Sequence, residues 1–85
     1  MKLKSIIKYM TEVVNVMPLT MARAGERNVI KHVSGKDETR RFLENLGFIS
    51  GAHVIVVSEM GGNMIVNVKD SRVAINRDMA GKIMI

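Results

Sequence analysis

Apolar residues change their spacing along this chain, and each change marks a different element. At the start, Leu3, Ile6, Ile7, Met10, Val13, Val14 and Met17 recur three and four apart. That spacing makes one apolar stripe of an amphipathic helix, with Lys2, Lys4, Lys8 and Glu12 largely on the other side. Val13-Val14-Asn15-Val16 also has β propensity, so a strand over residues 12–17 is the alternative. Pro18 ends any helix and biases Met17 toward an extended backbone. Residues 1–16 therefore form an amphipathic helix or arm, and a domain spans residues 17–85.

From residue 19 on, glycines punctuate short segments. Gly25 closes a turn-like stretch over 19–24, and strand one is expected over 26–34. Its apolar residues Val29, Ile30 and Val33 break strict alternation, which predicts a bulge there. Gly35-Lys36-Asp37 reads as a turn, with Asp37 as N-cap of a helix over 38–46. Leu43 and Leu46 share one helix face, and Phe42 sits four before Leu46. Gly47 stands where a left-handed residue closes a last helical turn. Phe42 and Phe48 are expected in the core, bracketing the helix.

Gly51 then opens a second β-rich run. Residues 52–60 and 63–68 flank Gly61-Gly62, a pair able to supply the positive φ angles of a tight hairpin. Met64, Val66 and Val68 alternate with Ile65 and Asn67. After a turn at 69–71, residues 72–76 read as a strand, 77–80 as one helical turn closed by Gly81, and 82–85 as a last strand. Five short strands with tight turns predict a mainly β domain. Closure into a small barrel would remove its sticky edges, with the one short helix between strands one and two.

At 85 residues this is one domain. It buries about 60% of its unfolded surface. With one Tyr, two Phe and no Trp, the core must be aliphatic, and most of the eight Met read as gap-fillers in it. The lack of Cys removes disulfides, thiolate zinc sites and Cys nucleophiles, and fits a reducing cytoplasm. No apolar run approaches 18 residues, so no spanning helix is expected. The run Ser5-Ile6-Ile7-Lys8 interrupts any leader-like hydrophobic stretch. The net charge of +5 divides between three Lys against one Glu in 1–16 and ten basic against seven acidic residues in 17–85. Bases and acids are interspersed, with Arg40-Arg41 the longest basic run, so the charge reads as a solvated basic surface.

The order of residues carries more. Leu19 then Gly25, Ile30 then Val33 and Gly35, Leu43-x-x-Leu46-Gly47-Phe48-x-x-Gly51, the Gly61-Gly62 hairpin, Val73-Ala74-Ile75 and Ala80-x-x-Ile83 together resemble the FeoA family, small cytosolic ferrous iron transport proteins. The resemblance covers roughly residues 17–85. It implies an SH3-like β-barrel and a role beside the membrane ferrous iron transporter FeoB. It also implies kinship with modules fused to some FeoB chains or placed at the C-terminus of some metal-dependent repressors. Two positions depart from the family's habit. Ser50 stands where Pro is common, and Asn63 follows Gly62 where the family often has Gly-x-Pro. Each costs some loop rigidity.

The side chains do not assemble a chemistry. No catalytic residues are assigned: Ser34, Ser50, Ser58 and Ser71 lie in or beside turns with no His close in sequence, so an enzyme is not expected. His32, His53, Glu26, Glu59, Asp37 and Glu38 are the candidate metal ligands, yet none form a pair with recognised ligand spacing. Asp37-Glu38 suit the helix N-terminus instead. No metal or other cofactor is assigned. Gly61-Gly62 lacks the Lys-Ser/Thr and the following helix of a P-loop. What remains is a binding module. The first reading is a non-enzymatic cytoplasmic partner or regulator of a FeoB-type transporter, meeting the membrane only indirectly. The alternative is an SH3-like module that binds nucleic acid or regulates transcription.

Two expectations follow from the sequence alone. Extensive chelation should leave the melting temperature unchanged, because no ligand set supports a structural metal site; a large drop would reveal one. The stripe in residues 1–16 packs on its own domain, pairs two copies as a homodimer, or lies on a membrane. Deleting residues 1–16 separates these destinations: lower stability at unchanged mass marks self-packing, and halved mass marks a dimer. If both hold steady, the docking of this stripe within or between chains is wrong.

Overall fold

The computed structural model describes residues 16–85; the helix or arm expected over 1–16 lies outside them but for Val16. A single 3-10 turn, Leu19–Met21, precedes β1 (Arg27–Val29), β2 (His32–Val33) and the helix α1 (Asp37–Leu46). Then follow β3 (His53–Met60), β4 (Asn63–Val68), β5 (Ser71–Asn76), the helical turn α2 (Arg77–Ala80) and β6 (Ile83–Met84). All strand pairings among the described residues are antiparallel. One sheet has the order β1-β3-β4-β5, and a second pairs β2 with β6.

Two strands replace the one expected over 26–34. Ile30, 1% exposed, turns inward between them. Its N–H donates to the Ala52 carbonyl (2.9 Å) and its carbonyl accepts from the Gly51 N–H (2.8 Å). One residue later the Lys31 N–H donates to the Met84 carbonyl (2.7 Å). The chain thus passes from one sheet to the other. The broken alternation marks this transfer, and the bulge lies instead in β3, between Val56 and Ser58. The helix consequently falls between β2 and β3. A closed barrel is not formed among the described residues. After β5, the turn α2 carries the chain to β6, which pairs with β2 and leaves β5 at a sheet edge.

The hairpin forms over the expected residues, with Gly61 at φ 55° and Gly62 at φ 82°. Val54, Val56, Met64, Val66 and Val68 point inward, where Leu19, Leu43, Phe48, Ile75 and Ile83 meet them. No polar side chain among the described residues is buried. Phe42 departs from expectation at 48% exposed. It is adjacent to Leu43, and a step of about 100° along the helix carries it off the face that Leu43 buries.

Both helix ends are informative. Asp37 is not the N-cap: Lys36 holds that position without a side-chain bond, and Asp37 in the first turn accepts from the Arg40 guanidinium. At the other end Gly47 takes φ 110°. The Phe48 N–H donates to the Leu43 carbonyl and the Gly47 N–H to that of Glu44, each at 3.0 Å. This is a Schellman cap, and it delivers Phe48 into the core beside Leu43. In α2, the Asn76 side chain caps by accepting from the Met79 N–H (2.8 Å).

A Cβ at Gly47 would meet the Lys69 side chain at 3.3 Å as well as strain the backbone. Gly47→Val should therefore cost about 1 kcal/mol or more in chemical denaturation. Gly47→Asn, which tolerates the left-handed region, should cost less. A Val variant as stable as the parent would refute this role for the cap.

Candidate binding face on the four-stranded sheet

The inward residues of β3 and β4 place their alternates on the opposite face. Register then decides which of these become neighbours. Arg27 of β1 pairs with Ile55 of β3, Ile55 with Asn67 of β4, and Asn67 with Arg72 of β5. One row thus crosses all four strands as Arg–Ile–Asn–Arg. The Arg72 Nε–H donates to Asn67 Oδ1 at 3.1 Å, which orients the guanidinium along the row.

A shallow groove of about 510 Å³ covers one end of this row, lined by Arg27, Ile49, His53, Ile55, Asn67 and Lys69 among others. It runs into a second depression of about 410 Å³ over Ser71 and Arg72, with Ile55, Asn67, Lys69 and Asp70 common to both. Among the described residues Asp70 is the one acid lining either. Among the described residues no carboxylate forms an ion pair with Arg27, Lys69 or Arg72. Ile49 adds exposed apolar surface at the groove, and Val29 adds it one row along, opposite His53. The face is therefore cationic with an aliphatic centre.

The candidate metal ligands lie apart. His32 is exposed on β2, opposite Met84, whereas His53 is exposed on β3, in the other sheet. Glu26 precedes β1. Glu59 at the far end of β3 pairs with Arg77 at 3.0 Å. Asp37 and Glu38 occupy the first turn of α1, and Asp37 is held by Arg40. No group of three such side chains among the described residues is placed to hold a metal ion. Two of the serines serve the backbone: the Ser50 hydroxyl donates to the Lys31 carbonyl (2.9 Å) and that of Ser34 to the Lys82 carbonyl (3.2 Å). At position 50, a hydrogen bond thus ties down a loop that lacks a proline.

Sequence reasoning missed this face because Arg27, Lys69 and Arg72 are far apart in the chain and interspersed with acids. The available signal was positional: Asn67 stands out of phase with the buried Met64-x-Val66-x-Val68, and Arg72 lies five residues on, across a tight turn.

The FeoA domain family model matches residues 17–85. The chain is 31% identical over 68 residues to a Methanocaldococcus jannaschii protein named Fe(2+) transport protein A, covering 80% of this chain and 83% of that one. The crystal structure of an iron uptake regulatory protein, FeoA, superposes with a TM-score of 0.75 at 27% identity, covering 81% of this chain and 93% of that one. FeoA of Stenotrophomonas maltophilia, a prokaryotic SH3 domain protein solved with zinc, gives a TM-score of 0.70 at 26% identity, covering 79% and 86%. Two antiparallel sheets enclosing one mainly aliphatic core are thus an SH3-like arrangement. The chain belongs to the FeoA family.

Proposed function

We propose that this chain is a non-enzymatic, cytoplasmic partner or regulator of a membrane ferrous iron transporter of the FeoB type, docking on the transporter's cytosolic part. The observation that carries the reading is the cationic, aliphatic-centred face of the four-stranded sheet. It is open, it spans every strand, and its cations have no acidic partners among the described residues. Such a face suits reversible contact with another macromolecule. Membership of a family named for Fe(2+) transport supplies the pathway. The dispersal of the His and acidic side chains favours a role through contact over chemistry at a resident metal. No helix among the described residues is long and apolar enough to cross a membrane, so the transporter would provide the link to it.

Immobilised protein should retain the purified cytosolic part of a FeoB-type transporter from the same organism, saturably and at physiological salt. Absence of retention, together with salt-dependent binding to duplex DNA, would overturn this reading in favour of a nucleic-acid module.

A further inference from the structure

We infer that the Arg27–Ile55–Asn67–Arg72 row is a receptor for an extended acidic segment of a partner protein, two carboxylates flanking one aliphatic residue. The inference deepens the partner reading above and rests on it for the partner's identity only. Three inter-strand spacings separate the Arg27 and Arg72 backbones by about 14 Å. An extended peptide covers about the same distance in four residues, and its residues i, i+2 and i+4 share one face. A segment with acids at i and i+4 and an aliphatic residue at i+2, laid along the row, meets an arginine at each end. Its centre falls between Ile55 and Asn67, so the aliphatic side chain at i+2 reaches Ile55, with Ile49 lining the same groove.

The arginines are prepared for this. Asn67 holds Arg72 through Nε, leaving the two terminal nitrogens for a bidentate carboxylate. Arg27 forms no ion pair among the described residues. Lys69 raises the positive potential beside the row, against the single Asp70. The same cations would attract nucleic acid, but single strands are held by stacking on aromatic rings. Among the described residues this face has no Phe, Tyr or Trp, since Phe48 is buried and Phe42 lies on α1, and the His53 imidazole is its one ring. An aliphatic centre between two guanidinium groups fits a peptide better.

Fluorescently labelled Ser-Glu-Thr-Leu-Thr-Glu-Ser, titrated against the full chain, tests this. It should bind, and an isomer of equal charge with the two Glu adjacent should bind about tenfold more weakly. Arg72→Glu and Arg27→Glu, both at exposed positions, should each weaken the spaced peptide about tenfold with unchanged circular dichroism. The peptide with Lys in place of both Glu should regain affinity for the double variant. Equal binding of the two isomers would overturn the inference, as would tighter binding of a twelve-nucleotide single-stranded DNA than of the peptide. If the peptide binds as expected while the transporter's cytosolic part is not retained, the receptor stands and the partner is another protein. Retention of that part with undiminished affinity by the double variant would overturn the receptor and leave the partner.

Discussion

The rest of the structure depends on the transfer of the chain at Ile30. Its N–H and carbonyl are both engaged by the loop leading into β3, while the next N–H, of Lys31, bonds to Met84 of the other sheet. Two consecutive residues thus tie the four-stranded sheet to the two-stranded one. The Ile30 side chain, buried between them, shares the same core as Leu43 and Phe48. A strand continuing straight past residue 30 would leave β6 without its partner and the α1–β3 loop without its anchor. Backbone amides left unpaired in a core this small would each cost about 1–3 kcal/mol, a large part of a small domain's stability.

The two ends of the described segment are held in the same way. Met17 and Ile85 exchange backbone hydrogen bonds at 2.9 and 2.8 Å, and Pro18 bridges to Met84. The two-stranded sheet is therefore extended by the segment that leads into the 3-10 turn. With Ile85 and Leu19 both buried, the start and finish of the described residues seal one side of the core. The Schellman cap at Gly47 seals another by reversing the chain so that Phe48 enters beside Leu43.

Filling the interior with aliphatic residues has a consequence outside. Strands alternate, so every inward Val or Met on β3 and β4 sends a neighbour to the opposite face. There Ile55 is half-buried, Asn67 orients Arg72, and Arg27 sits at the other end of the row, three strand spacings from Arg72. Leaving β5 at an edge keeps Arg72 at the end of a row with its terminal nitrogens exposed. Core packing and the binding face are two sides of one sheet.

Local chemistry determined much of this by itself. Gly61-Gly62 between alternating apolar runs dictated a hairpin, and Leu43-x-x-Leu46-Gly47 dictated a helix closed by a left-handed residue, because both depend on neighbours in sequence. The strands of residues 63–68 and 72–76 and the short turn at 77–80 were legible for the same reason. The tertiary structure decided what depends on distant partners. The chain changes sheets at Ile30 because the Ala52 and Met84 carbonyls accept from the adjacent N–H groups of Ile30 and Lys31. Lys36, not Asp37, takes the N-cap position of α1, and the Asp37 carboxylate accepts from Arg40 within the first turn. Phe42 stays outside because Leu43 takes the inward face, and the barrel stays open because β6 pairs with β2. The cationic row was illegible for a simpler reason: cross-strand register, set by the whole sheet, brings residues 27, 55, 67 and 72 together, and no local spacing encodes it.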